Sequence, residues 1–79
     1  MNIAAIKKLL DKDLNTLRKL ENELLEGEPL SEEVIGVDEG EQLTHITGAI
    51  WALEQAQANG TEPHKEVRNF IARVRESIN

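Results

Sequence analysis

The sequence lacks several features that would identify its chemistry directly. Its 79 residues include no cysteine, which excludes disulfide bridges and thiolate metal ligands and agrees with a reducing compartment. No apolar run approaches the roughly 18 residues of a membrane span. Lys7 and Lys8 interrupt the first apolar segment, so it does not read as a secretory signal. We therefore predict a cytoplasmic globular protein that does not interact with a membrane.

Positive charge is missing from the middle of the chain. No Lys or Arg occurs between Lys19 and Lys65, and the net charge is −6. This acidity argues against a nucleic-acid partner and suits a basic protein partner, although runs of charge are most often only solvated. The candidate acidic patch comprises Glu32, Glu33, Asp38, Glu39 and Glu41.

Motifs for covalent catalysis or for a cofactor are also missing. The serines and threonines lie in no nucleophile elbow, and no glycine-rich loop for phosphate is present. A chain of this length without such motifs is not expected to be an enzyme, and we expect no cofactor.

The apolar residues recur at spacings of three and four, which predicts an all-α fold. We expect one helical domain over residues 1–79, built as a small bundle of three long helices plus a short N-terminal helix. Asp13 is a candidate N-cap for the second helix, and Gly27 closes that helix. A single helix over residues 3–26 stays open as an alternative.

An acidic linker is predicted at about residues 27–38, where Pro29 and Gly36 block a long helix. Its apolar residues Val34, Ile35 and Val37 are expected to pack against the bundle or to form a short extended piece. The third helix is then capped by Asp38 and ends near Gly60. The fourth helix begins near Pro63, with Thr61 as its expected cap.

The third helix has two distinct faces at 100° per residue. One carries the aliphatic residues Leu43, Ile46, Ile50 and Leu53, which we assign to the core. The opposite face carries the only tryptophan among small residues, which suggests an interaction surface because tryptophan often anchors interfaces. Its candidate residues are Thr44, Gly48, Trp51, Ala52 and Gln55. Either helices of the same chain cover this face, or a second copy covers it in a homodimer, which we favour slightly.

Glu41 and His45 lie four residues apart and therefore share one helix face. A carboxylate and an imidazole at this spacing can bind a metal ion such as Zn²⁺, and Asp38, Glu39 or His64 could complete the site. No second Glu-x-x-His or His-x-x-x-His pair accompanies them. A simple polar contact between the two side chains is the alternative interpretation.

The segment D-E-G-E-Q-L-T-H, the early I-K-K-L-L and the closing V-R-E-S-I-N resemble a family of short bacterial proteins of unknown function. The resemblance covers most of the chain and implies no activity. From the residues themselves we predict a non-catalytic interaction module that acts as a homodimer. A metal-binding protein that uses Glu41 and His45 is the alternative.

Overall fold

A computed structural model describes residues 2–78 and contains four α-helices over that range. They are α1 (Ile3–Leu9), α2 (Leu14–Leu25), α3 (Glu39–Asn59) and α4 (Pro63–Ile78). The described residues form no β-strand, and the predicted all-α bundle with one short and three long helices is confirmed. Within this range, no helix combines the length and the apolar character that are needed to cross a bilayer.

A short turn separates α1 from α2, so the continuous helix over residues 3–26 does not form. The side chain of Asn2 accepts hydrogen bonds from the N–H groups of Ala4 and Ala5, and Asp13 accepts one from Thr16 at 2.7 Å. Each cap satisfies N–H groups that lack a partner within their helix. The hydrogen bond from the Thr16 backbone also lowers the pKa of Asp13. The break and the Asp13 cap are confirmed.

The end of α2 is a left-handed turn at Gly27, as the sequence predicts. The φ angle of Gly27 is +72°, a value that glycine adopts without steric cost. The N–H of Gly27 then reaches the carbonyl of Leu24, and the N–H of Glu28 reaches that of Glu23 at 2.8 Å. This is the Schellman pattern, which satisfies the last carbonyls of a helix and turns the chain away from its axis.

The linker packs differently from the prediction. Val34 is buried in the core, but Ile35 is 41% exposed and Val37 is 88% exposed. The expectation that all of these residues pack against the bundle is therefore correct for Val34 alone. The reason is that side chains of α3 hold the backbone of this segment, as described below, and direct the other two side chains outward.

The central helix is α3, which packs against α1, α2 and α4. Its predicted core face is correct for Ile46 and Ile50, which are buried together with Ala49. Leu43, which was also assigned to the core, is only partly buried and lies outside the buried cluster. Leu53 packs against the core and remains partly buried. The buried apolar cluster comprises Ile6, Leu9, Leu17, Leu20, Val34, Ile46, Ala49, Ile50, Ala52, Val67 and Ile71.

The small residues on the second face of α3 serve packing within the chain. Gly48 and Ala52 are buried. A Cβ atom at Gly48 would lie 2.8 Å from Cε2 of Phe70 and 3.3 Å from Cδ1 of Ile6. Gly48 therefore allows α4 and α1 to approach α3 closely, which agrees with the alternative in which the same chain covers this face.

The start of α4 differs from the prediction in one detail. Pro63 is the first helical residue, and the carbonyl of Glu62 accepts hydrogen bonds from the N–H groups of Lys65 and Glu66. Thr61 lies too far upstream to occupy the cap position of this helix. Its hydroxyl donates instead to the carboxylate of Glu66 at 2.6 Å.

Candidate functional site

The first two turns of α3 hold the linker through side-chain hydrogen bonds to its backbone. Asp38 caps the helix by accepting from the N–H of Glu41 at 2.7 Å. Glu41 then accepts from the N–H of Val37 at 3.0 Å. The amide of Gln42 donates to the carbonyl of Val34 at 2.8 Å. The segment D-E-G-E-Q-L-T-H thus encodes a clamp on residues 34–37, made by Glu41, Gln42 and His45.

His45 is the buried centre of this clamp, with 0% of its surface exposed. Its Nδ1 lies 2.7 Å from the carbonyl of Ile35, and its Nε2 lies 3.0 Å from the backbone nitrogen of Asn2. A carbonyl can only accept and a backbone N–H can only donate, so Nδ1 donates to Ile35 and Nε2 accepts from Asn2. His45 therefore joins the start of α1 to the linker.

The metal-binding alternative receives no support from this geometry. Each ring nitrogen of His45 already has a backbone partner inside the fold, and Glu41 bonds to the backbone of Val37. A metal ion at His45 would have to displace one of these buried hydrogen bonds. Among residues 2–78, moreover, no group of three His, Cys, Asp or Glu side chains could hold a metal ion.

The acidic patch does not act as one unit. Glu32 forms an ion pair with Lys12, which lies in the turn between α1 and α2. Asp38 and Glu41 are used in the cap and the clamp. Glu33 and Glu39 are exposed and lie two residues in sequence from Ile35 and Val37, respectively. The carboxylate of Glu23 in α2 anchors the other end of the linker, because it accepts from the N–H and the hydroxyl of Ser31 at 3.0 Å each. Chiefly through the backbone hydrogen bond, Ser31 lowers the pKa of Glu23.

A second candidate surface is an open groove of about 500 Å³ between α3 and α4, here called the α3–α4 groove. Trp51 lies in it, partly exposed, with its ring centroid 6.1 Å from that of Phe70. The guanidinium of Arg73 lies 5.4 Å from the Trp51 centroid, within the range of a cation–π interaction. The residues that line the groove are Trp51, Gln55, Asn59, Glu66, Asn69, Ala72, Arg73 and Glu76.

Glu66 is the buried carboxylate of this groove, and only 5% of its surface is exposed. It accepts hydrogen bonds from the hydroxyl of Thr61 at 2.6 Å and from the amide of Asn69 at 2.9 Å. These donors stabilise the charged form, so Thr61 first, then Asn69, and then Asn59 lower the pKa of Glu66 against the opposing effect of burial. Glu66 is therefore a fixed negative charge in the groove.

Only part of the interaction face that the sequence predicts is accessible in the structure. Trp51 and Gln55 line the α3–α4 groove, and Thr44 is partly exposed while its hydroxyl donates to the carbonyl of Gly40 at 3.0 Å. Gly48 and Ala52 are buried inside the chain. A second molecule that met this face would therefore contact Trp51 and Gln55 rather than the small residues between them and the core.

Sequence reasoning did not find the α4 side of the groove. Arg73 is 22 positions from Trp51, so only the packing of α4 on α3 brings the pair together. The partners of His45 also lie beyond its own helix, with Ile35 10 positions and Asn2 43 positions away. The pattern of hydrophobic spacing predicts neither pairing, although Trp51 and His45 were both singled out in the sequence as residues of interest.

A comparison with protein families finds one model that matches residues 1–79, described as a family of unknown function, DUF6952. No curated protein and no solved structure matches the chain. The family match agrees with the predicted resemblance in its extent and in the lack of an assigned activity. Because the match covers the whole sequence, the chain belongs to the family of unknown function DUF6952.

Proposed function

We propose that this protein is a non-catalytic interaction module that associates with a second copy of itself through the α3–α4 groove. The observation that carries this proposal is the position of Trp51, which remains partly exposed at an open groove in so small a protein. Tryptophan and arginine are enriched among the residues that dominate binding energy at interfaces, and Trp51 and Arg73 are in contact here.

The Trp51 ring is already held in one orientation by its own chain. Phe70 packs against it at a tilt of 46°, and the guanidinium of Arg73 lies near the ring centroid. A side chain that is ordered before binding loses less conformational entropy when a partner covers it. This arrangement supports the interpretation of Trp51 as a binding anchor, rather than as a side chain whose exposure has no function.

The charges of the groove favour a second copy as the partner. Arg73 and Glu76 both line the groove and lie three residues apart on α4, so they are neighbours on the helix surface. In an antiparallel two-fold pairing of two α4 helices centred near these residues, Arg73 of each copy lies against Glu76 of the other, because every contact of a two-fold interface occurs twice. Small domains also bury a limited share of their surface alone, and a second copy would add to it.

The test is absolute mass by light scattering over a range of concentrations up to about 1 mM, with Trp51 fluorescence recorded in parallel. We expect a concentration-dependent rise from 8.9 kDa toward twice that mass, with a blue shift of the emission. Arg73→Glu alone and Glu76→Arg alone should each remain monomeric. An equimolar mixture of the two should associate again, because opposite charges then meet at both positions.

The matched control is Arg68→Glu, which makes the same charge change at an exposed position of α4 outside the lining of the groove. It should associate like the wild type. A wild-type protein that stays monomeric over the whole range would refute self-association. Association that persists unchanged in Arg73→Glu and in Trp51→Ala would show that the interface lies elsewhere.

A further inference from the structure

The linker presents exposed apolar side chains on a fixed backbone. Val37 is 88% exposed, Ile35 is 41% exposed, and Ile3 at the start of α1 is 43% exposed. The hydrogen bonds of His45 to Asn2 and to Ile35 join the start of α1 to the linker, and Ala5 and Leu9 of α1 line a common cavity with Ile35. We call Ile3, Glu33, Ile35, Val37 and Glu39 the linker surface.

The clamp makes this exposure a stable property of the fold. The backbone on either side of Gly36 is bonded to α3, through the carbonyl of Ile35 and the N–H of Val37. A loose loop could turn its apolar side chains inward, whereas a loop held at these atoms cannot do so without breaking hydrogen bonds, one of them to a buried imidazole. The outward position of Val37 therefore persists in water, at a cost in exposed apolar surface.

A small cavity of about 200 Å³ adjoins the linker surface. Its apolar walls are Ala5, Leu9 and Ile35, with Glu33 at its edge, and this size suits one apolar side chain of a partner. Lys8 and Lys12 also line the cavity, and the ammonium of Lys12 is paired with Glu32. Long lysine side chains contribute their aliphatic stems to such walls.

We propose that the linker surface docks a partner segment that is basic and apolar, with one apolar side chain in the cavity beside Ile35 and cationic side chains against Glu33 and Glu39. Charge decides the class of occupant. Two lysines line the cavity, but Lys12 is already paired with Glu32, which leaves Lys8 against the exposed carboxylates of the linker and the start of α3. These carboxylates are Glu33, Asp38 and Glu39, so the surface is net negative; two copies of it would repel each other, whereas a basic segment is attracted. This docking uses a different surface from the α3–α4 groove and does not depend on self-association.

The probe is a fluorescently labelled synthetic peptide of about twelve residues that alternates lysine and leucine, titrated with the full chain and followed by anisotropy. Two further peptides of the same length alternate lysine with serine and glutamate with leucine. The lysine–leucine peptide should bind, and more weakly as salt is raised, because its charges are screened. The other two should bind at least about tenfold more weakly, because each lacks one of the two components.

Amino-acid substitutions on the linker surface test whether the lysine–leucine peptide binds there. Val37→Ser should weaken peptide binding by about tenfold. This variant should still fold, because the side chain is largely in water. The double variant Glu33→Gln with Glu39→Gln should weaken peptide binding to a similar degree. The matched controls are Leu25→Ser, an exposed apolar residue of α2, and Glu26→Gln with Glu62→Gln, which remove the same charge elsewhere. These controls should leave the affinity within about twofold of the wild type.

The proposal is overturned if the lysine–leucine peptide does not bind at about 1 mM, or if the lysine–serine peptide binds equally well. It is also overturned if the Leu25→Ser control weakens binding as much as Val37→Ser, because attraction would then depend on overall charge and apolarity alone. Arg73→Glu separates the two proposals, since it should abolish self-association and leave peptide binding intact.

Discussion

At its N-terminal end α3 holds a loop, whereas in its middle and C-terminal part it holds another helix, and the chemistry of the two contacts differs. The loop is held by hydrogen bonds from Glu41, Gln42 and His45 to backbone atoms. The helix α4 is held by close approach at Gly48 and by the ring of Phe70 against Trp51. The contact with the loop leaves Val37 largely exposed, and the contact with α4 leaves Trp51 partly exposed.

The difference shows how a small domain exposes apolar surface while staying folded. Hydrogen bonds to the backbone fix a segment without covering its side chains, so Val37 can remain in water. Packing of small and aromatic residues covers most of the face that it fixes, so only the outer part of Trp51 remains accessible. The first surface is acidic and suits a partner of opposite charge, and the second carries both signs and suits a second copy.

The largest expected effect comes from breaking the clamp at its buried centre. His45→Ala leaves a cavity and strands the N–H of Asn2 and the carbonyl of Ile35, so we expect a loss of about 2–4 kcal/mol in the free energy of unfolding. Chemical denaturation followed by circular dichroism measures this loss. His45→Gln should recover part of it, because an amide can still pair with one of the two backbone groups.

His64→Ala is the matched control for this change, because His64 is exposed on the first turn of α4. It should alter stability by less than about 0.5 kcal/mol. If His45→Ala and His64→Ala have similar effects, the clamp does not contribute to the fold as described.

Replacing each of two glycines of α3 by alanine should change the free energy of unfolding by a smaller amount, and in opposite directions at the two positions. Gly48→Ala should destabilise the fold by about 1–2 kcal/mol, since the new methyl group would lie 2.8 Å from the ring of Phe70. Gly40→Ala should stabilise it by up to about 1 kcal/mol, because alanine favours a helix and its nearest neighbour is Oδ1 of Asp38 at 3.4 Å. Thermal unfolding compares the two. Stabilisation by Gly48→Ala would mean that α4 does not pack closely on this face.

The smallest effect is on the pH dependence of stability, and it concerns the α3–α4 groove. The folded state lowers the pKa of Glu66 below the ordinary value of 4.5, so the carboxylate stabilises the fold above that pH. This stabilisation is lost as the pH falls through the lower folded pKa. Glu66→Gln should therefore be less stable than the wild type at pH 7, and the difference should shrink in acid. A difference that stays constant from pH 7 to about pH 2 would contradict the hydrogen bonds from Thr61 and Asn69.

Local signals in the sequence were sufficient for the helices and for most of their ends, with the cap of α4 as the exception because Thr61 bonds to Glu66 instead. Asp13, Gly27, Asp38 and Gly60 mark boundaries through bonds to residues a few positions away, and such bonds can be anticipated from spacing. The core face of α3 likewise follows from its period.

The sites could not be predicted to the same degree, because their contacts depend on how the linker and α4 pack against α3. The spacing of Glu41 and His45 suggested a metal pair, yet each side chain turns to backbone atoms that only the path of the linker brings near. Trp51 was identified as a second face, but its contacts with Phe70 and Arg73 depend on where α4 packs.

The most direct test of the comparison between the two surfaces is one set of amide chemical-shift spectra of the isotope-labelled protein, recorded on dilution and then on addition of the lysine–leucine peptide. We predict that dilution shifts the signals of Trp51, Gln55 and Asn69 and leaves the linker unchanged. The peptide should shift the signals of Glu33, Ile35 and Val37 and leave the α3–α4 groove unchanged. Shifts that coincide in the two titrations, or that spread evenly over the molecule, would contradict the assignment of two separate surfaces.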